Sequence, residues 1–268
     1  MGLGAGALLA PTTTIGAISG ANDDLRAYLR IRSRLDGKPV FYPYQGTIFG
    51  KPFGKVAVPL FDVEGFSWDY LTKVGNGHYR IDTSEAGYFL DRKTGLPLAN
   101  WVNPMNGVTT EVKHYRSSAH IVVSSGKLEP IMSTSAPHSL EFSASMSAIT
   151  RMNGKIWVHE DIIAQIPNKP QSSFTDLREY VGPTLEATSL ATWSADLAHL
   201  ADARRQFVPA LFSYQTLGSW RPFMRMGNTP GVISWRLIGT KEPVIERVPA
   251  KLRARVMQEY PDFLARPA

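Results

Sequence analysis

The residues with the most chemistry to offer are Trp220, Arg221 and Arg225, Tyr42 and Tyr44, and His114 with Tyr115. A guanidinium beside an indole grips an aromatic anion, because the cation meets the charge and the ring supplies a stacking face. Trp220, Arg221 and Arg225 share a loop bounded by glycine and proline, so all three are candidates for that grip. The competing reading is a tryptophan plugging a barrel end beside arginines paired to carboxylates. Tyr42 and Tyr44 are two residues apart, so on a strand they share a face where each hydroxyl needs a partner or a substrate. Buried core tyrosines would satisfy the same spacing. His114 is the candidate general base, since an unperturbed imidazole titrates near neutrality, although a structural histidine suits the position equally. Trp101 and Asn103 flank a turn that Asn103 could simply cap. The sequence therefore nominates His114, Tyr44 and Arg221 as catalytic and Tyr42, Trp101, Asn103, Tyr115, Trp220 and Arg225 as substrate-binding.

Several other chemistries have no motif to carry them. The chain holds no cysteine, which removes thiolate catalysis, disulfides and cysteine-ligated metal. It contains no G-x-S-x-G elbow, no phosphate loop and no H-E-x-x-H helix, so the corresponding hydrolase, nucleotide and zinc-protease readings fail. Gly2, Gly4 and Ala7 match G-x-G-x-x-A formally, but no strand precedes them. Among the six histidines, His114 with His120, or His159 with Glu160 or Asp161, could be drawn together inside a barrel. None of these spacings is a ligand signature. The expectation is no metal and no cofactor.

Charge separates fewer options. The net charge is +6, and residues 201–268 hold eleven Lys or Arg against five Asp or Glu, leaving eighteen against eighteen elsewhere. These basic residues are dispersed among apolar sequence rather than gathered into a stripe, which argues against nucleic acid. A few arginines meeting an anionic or phenolic ligand, or a solvated basic surface, account for the same excess. No stretch approaches a membrane span, and a homodimer stays open.

The elements that must hold these residues are mostly strands. Asn22 can cap a helix whose first turn carries Asp23 and Asp24, with Leu25, Tyr28, Leu29 and Arg32 on one face and Gly37 as its stop. From Val40 to about Trp193, short aromatic and β-branched runs alternate with turns. Gly75-Asn76-Gly77 and Asn153-Gly154 mark tight hairpins. Leu140 to Ala148 and Ile156 to Ile163 alternate like strands with one dry face. Later strands are expected at 184–192, 207–215 and 232–239, with a short helix at 195–203 and a last helix from Pro249 to Tyr260. So many strands must manage their edges, and closure into an antiparallel barrel does so most completely, a two-sheet sandwich being the alternative. With 43% apolar residues over 268 positions, residues 22–268 read as one mainly β domain. Residues 1–21 read as a tail or signal remnant, because Gly2 to Pro11 is small and apolar without preceding basic residues. Periplasmic placement follows from a truncated export signal, and cytoplasmic placement from a plain tail.

The closing third adds an ordered set of motifs: Gly218 to Gly227, Pro230 to Arg236, and Gly239-Thr240-Lys241. With Asp36 to Val40, Tyr88 to Asp91, Asn103-Pro104, Asn106-Gly107 and Tyr260-Pro261, these residues resemble the bacterial family catalogued as domain of unknown function 1838, from about Asp24 to Phe263. The resemblance implies a calycin-like barrel and, for many members, export. Tyr42-Pro43-Tyr44 stands where relatives have a tryptophan-rich strand, so it implies a diverged pocket. The functional expectation is a cofactor-independent lyase or isomerase acting on a hydrophobic, aromatic or phenolic small molecule, for example a formaldehyde-releasing lyase on lignin-derived aromatics. Proton movement and charge stabilisation need only the residues present. The alternative is a non-catalytic binding or carrier protein, whose apolar interior would look the same.

Overall fold

The computed structural model describes residues 21–124, 127–132, 141–146, 149–167, 184–227 and 229–266. The apolar start from Gly2 to Pro11, together with Leu140 and Ala148 of the expected strand, lies outside them. Helix α1 (Ala21–Arg32) comes first. It is followed by β1 (Val40–Pro52), β2 (Val58–Gly75), β3 (His78–Leu90), β4 (Asn100–Val102), β5 (Thr109–Glu111), β6 (Tyr115–Ser124), β7 (Lys127–Met132), β8 (Glu141–Met146), β9 (Thr150–Met152), β10 (Lys155–Pro167) and β11 (Thr184–Asp196). Helix α2 (Leu197–Ala201), β12 (Leu211–Gly218), β13 (Gly231–Thr240) and helix α3 (Ala250–Glu259) complete the chain. Both expected hairpins form: Gly77 has φ 73°, and Asn153 and Gly154 have φ 51° and 73°, the positive values a tight two-residue turn demands. Helix α1 stops at Arg32, ahead of Gly37, which takes a left-handed φ of 70° in the turn beyond.

One antiparallel sheet runs in the order β7-β6-β3-β2-β1-β13-β12-β11-β10-β8, with β9 paired to β10. It curls into a half-barrel, and the outer strands β7 and β8 turn toward each other with Cα atoms within 8 Å. A two-residue period assigns the walls. On β1, Val40, Tyr42, Tyr44 and Ile48 join interior clusters while Phe41 joins the outer one, as alternation along a strand requires. The outer cluster, with Phe66, Trp68 and Tyr88, is covered by Leu252, Val256 and Phe263 of the C-terminal segment. Trp68 Nε1 donates to the Phe263 carbonyl at 2.7 Å, which fixes that cover to β2.

Eight strands make a barrel that its own side chains just fill. A ten-strand path leaves more room, and other elements fill it from both ends. At one end α1 lays Leu25, Tyr28, Leu29 and Ile31 against Leu71, Ile81, Ile156 and Trp193. At the other, the β4–β5 hairpin and the loop around 220–226 bring Trp101, Trp220, Phe223 and Met224 against Phe61, Phe89 and Trp235.

Helix α1 is fastened by charge as well as by apolar contact. Arg32 donates to Asp69 of β2 and, at 3.1 Å, to Glu160 of β10, while its guanidinium lies 4.5 Å over the Trp193 ring. Burial alone would weaken its hold on the proton, but the two carboxylates outweigh that and keep it charged. Tyr28 also donates to Glu160, and Tyr42 to the Arg32 carbonyl. Lys241, buried after β13, donates to the Arg30 and Ser33 carbonyls at 2.8 and 2.6 Å, satisfying open carbonyls of the helix end, and burial holds its pKa well below the usual lysine range. Removing one partner from a buried ion cluster strands the others without solvent. Arg32→Ala is therefore expected to lower the unfolding free energy by about 3–5 kcal/mol, read from urea denaturation; a loss below about 1 kcal/mol, typical of an exposed pair, would contradict this role.

Candidate functional site

Between the two apolar plugs the barrel wall carries a polar layer, and its geometry starts from two glycines. Tyr44 of β1 pairs with Gly65 of β2, Gly65 with Gly87 of β3, and Gly87 with Tyr115 of β6. Four adjacent strands span about 14 Å at roughly 4.8 Å per step. Two tyrosines leaning inward from the ends can bridge that distance only if nothing stands between them. A Cβ on Gly65 would overlap the Tyr44 hydroxyl and one on Gly87 the Tyr115 hydroxyl, so both positions require glycine for space. The two hydroxyls meet over the glycine pair at 2.7 Å.

Glu85 lies two residues before Gly87 on the same face of β3, with the Ser117 hydroxyl of β6 at 3.5 Å and the Tyr44 side chain close enough to bear on its charge. Burial raises its carboxyl pKa against the opposing pull of Tyr44, Ser117 and Arg221. Burial and the Glu85 charge push the Tyr44 and Tyr115 hydroxyls well above the usual phenol range, so both stay protonated. Across the interior, Tyr214 of β12 donates to Ser189 of β11 at 2.8 Å, and Ser189 bonds Thr216 at 2.9 Å.

Arg221 completes the layer from the loop after β12. Its guanidinium sits 5.2 Å from the centre of the Trp235 ring and interacts electrostatically with Tyr214, Tyr115 and Glu85. Burial lowers its pKa from the usual value, yet a guanidinium remains charged throughout the physiological range. Arg221 and Ser117 are both exposed. Among the described residues no carboxylate forms a salt bridge with Arg221. The β4–β5 hairpin sets the course of the loop: Asn103 donates to the Met224 carbonyl at 2.7 Å, and Asn106 to the Arg225 carbonyl at 2.8 Å.

Of the residues nominated from sequence, the structure brings Tyr44, Tyr115 and Arg221 together. His114 is not among them. It precedes Tyr115, and neighbours on a strand face opposite ways, so with Tyr115 inward His114 turns toward Tyr88, where the ring centroids are 5.1 Å apart. Its Nδ1 accepts the Phe89 backbone N–H at 3.2 Å, and burial beside Glu259 and Arg255 of α3 lowers its pKa. Tyr42 faces inward but its hydroxyl is taken by the Arg32 carbonyl. Trp101 stacks at 4.5 Å on Phe61 within the apolar plug. Asn103 is a buried tie between hairpin and loop. Trp220 packs at the barrel end and donates to the Thr229 carbonyl at 2.8 Å. Arg225 occupies a left-handed turn with φ 55° on the surface. These five shape and support the site rather than line it.

Sequence reasoning missed Glu85, Tyr214, Ser189, Thr216 and Trp235. For Glu85 a signal existed: Ile81, Thr83, Glu85, Gly87 and Phe89 share one parity, and the apolar ends of that run mark it as the inner face. Among the described residues no three His, Asp or Glu converge as metal ligands. His120 bonds Asp82 and His159 bonds Thr192, while Glu160 serves Arg32. A groove of about 650 Å³ also lies on the outer wall, between Trp157, Leu211 and Ile238 on one side and Leu252 on the other. It holds no comparable convergence of acid and base.

The glycine pair makes the site separable from the fold. Gly87→Ala sets a methyl against the far end of Tyr115 rather than against backbone, so it is expected to displace that ring at a cost of about 1–3 kcal/mol. In ¹³C-tyrosine spectra the Tyr44 and Tyr115 ring resonances should move together. His114→Ala should leave both in place, and the reverse pattern would refute this account of the layer.

A comparison with curated proteins finds no match. The profile of a protein family of unknown function, DUF1838, matches residues 37–268, which takes in every residue of the polar layer and the loop that brings Arg221 to it. The chain belongs to the DUF1838 family.

Proposed function

We propose that the protein is a cofactor-independent enzyme of lyase or isomerase type that takes a small aromatic or phenolic anion into the polar layer of its barrel. The observation that carries this reading is Arg221: a cation on the Trp235 face, without a salt-bridge partner among the described residues, beside hydroxyls able to donate and accept protons. A phenolate or carboxylate would supply the missing countercharge, and an aromatic ring would share the indole surface. Ser189 is bound to Tyr214 and Thr216 with no base against it, so covalent attack through serine is not part of the proposal. Acid and base work falls to the tyrosines instead.

A formaldehyde-releasing lyase on lignin-derived diaryl compounds is one concrete reaction of this kind. The hydroxymethyl group would give up its hydroxyl proton and the adjacent C–C bond would break, expelling formaldehyde. The electron pair left on carbon would spread toward the ring and then take a proton. The second reading, a carrier in a calycin-like barrel, rests on the same apolar walls and on the internally satisfied Tyr214, Ser189 and Thr216.

Arg221→Ala is expected to weaken binding of 4-nitrophenolate by about ten- to a hundredfold, the worth of a charge-assisted hydrogen bond, with far-ultraviolet circular dichroism unchanged. Equal affinity in the variant would remove Arg221 from the site. Incubation with hydroxymethyl-bearing diaryl substrates, followed by mass spectrometry, separates enzyme from carrier: the enzyme consumes the compound and Tyr44→Phe does not, whereas a carrier returns it intact in both cases.

A further inference from the structure

The outer wall of the barrel is covered over one half and bare over the other. Above β1 to β3, the apolar residues Phe41, Phe66 and Trp68 are buried beneath the C-terminal segment. Above β10 to β13 no described element provides such a cover, and Ile163, Leu190, Leu211, Leu217 and Ile238 stand between 39 and 63% exposed. Apolar side chains scattered singly over a surface are ordinary, but several gathered on one face mark a contact. These five share one face of four adjacent strands, where the register sets four rows, each with one residue from every strand. One end row runs Trp157, Ser194, Leu211, Thr240. The opposite end row runs Ile163, Thr188, Leu217, Ser234. A row between them begins with Asp161 on β10 and ends with Arg236 on β13, both exposed.

We infer that this face is a homodimer interface, on which a second copy of the chain packs sheet to sheet with Asp161 of each copy on Arg236 of the other. A two-fold axis running along the strands, midway between β11 and β12, lays β10 over β13 of the second copy and β11 over its β12, as an isologous contact between aligned sheets requires. Trp157 then meets Thr240, Leu211 meets Ser194, Ile163 meets Ser234 and Leu217 meets Thr188. Large opposes small along both end rows, the condition for side chains of facing sheets to interdigitate. The curvature agrees with this axis. The outside of a curled sheet is convex, so two copies touch first along β11 and β12 and diverge toward β10 and β13. The central strands carry the small residues Thr188, Thr192, Ser194 and Ser213, while Trp157 and Arg236 reach from the flanking strands. Helix α3 bounds the face beyond β13, and the groove of about 650 Å³ between them, which Thr240 and Leu252 line, receives Trp157 of the second copy. Charge points to the same partner. Two copies that each carry +6 repel at a distance, so they must meet on a nearly neutral surface, and interface centres are poor in charge. Among the sixteen positions of the four rows, Asp161 and Arg236 are the whole complement of Asp, Glu, Lys and Arg, and they are opposite in sign.

Sedimentation equilibrium of the full chain tests this between about 1 and about 200 µM, the range in which an interface smaller than the standard size dissociates. The weight-average mass is expected to rise from 29.6 kDa toward twice that value. Within one chain Asp161 and Arg236 stand three strands apart, about 14 Å, too far to pair, so exchanging their charges reads contact between copies alone. Asp161→Arg and Arg236→Asp should each bring like charges together and weaken the dimer at least about tenfold, and the two changes in one chain should restore it. Ser213→Cys beside the axis gives a reading that survives misfolding of a charge variant. The chain has no other cysteine, so a short bismaleimide should join Ser213→Cys into a covalent dimer and should not join Lys73→Cys at the far end of β2. A mass that stays at 29.6 kDa throughout, whether another segment of the chain or a different protein covers the face, overturns the proposal. So does a dimer that neither single charge variant weakens, one that the double variant fails to restore, or equal cross-linking at positions 213 and 73.

Discussion

The charge that Arg32 carries into the barrel is what allows one end of it to be closed. A helix laid across a wide sheet buries apolar surface, but that force has no direction and fixes neither depth nor rotation. The contacts to Asp69 and Glu160 supply both, because they join the helix to strands on opposite sides of the curl. The cost of desolvating three ionised groups is met only if all are paired, so the arrangement is intolerant of sliding. The effect extends inward. Asp69 also senses the charge of Glu85, so the fastening of the helix and the polar layer share a wall.

Polar groups in a barrel interior are expensive unless they satisfy one another or face water. Here the expense falls at the ion cluster under α1 and at one further level. Above and below it the interior is closed by clusters that belong almost wholly to one plug or the other, and Tyr214 packs against both. The glycine pair sets the form of that level. Side chains at 65 and 87 would collide with the two phenols; their absence lets Tyr44 and Tyr115 lie across the wall. Tyr42 and Tyr44 illustrate the consequence. They share a face and a residue type, yet the former is taken by the helix plug and the latter meets Tyr115.

Much of this was legible in the chain, and the limits have physical causes. Asn153-Gly154 and Gly75-Asn76-Gly77 announce turns because few residues tolerate positive φ, and alternation marks the strands between them. Arg221, Tyr44 and Tyr115 could be named from residue type and loop placement. His114 lies apart from them, its ring against Tyr88 and its Nδ1 on the Phe89 N–H, a placement that residue type alone does not reveal. Glu85 was passed over: its parity placed it inside, but an isolated carboxylate reads as solvent-facing unless its partners are known. Those partners lie on β1 and β6, 41 and 32 residues away in sequence for Tyr44 and Ser117, a distance that no local pattern encodes.

The placement of the cation on a loop rather than on a strand follows from the same geometry. A strand residue reaching the lumen is held by its neighbours on both sides and must satisfy its charge within that layer, as Asp69 and Glu160 do with Arg32. A residue entering from the barrel end is tethered differently. Arg221 precedes a 3-10 turn at Pro222–Met224 whose carbonyls are gripped by Asn103 and Asn106, so its backbone is fixed from outside the lumen while its guanidinium needs no internal carboxylate to hold it. Support and charge compensation are thereby separated. The hairpin provides the first without consuming the second, so the loop holds Arg221 in place by contacts that leave its guanidinium on the Trp235 face.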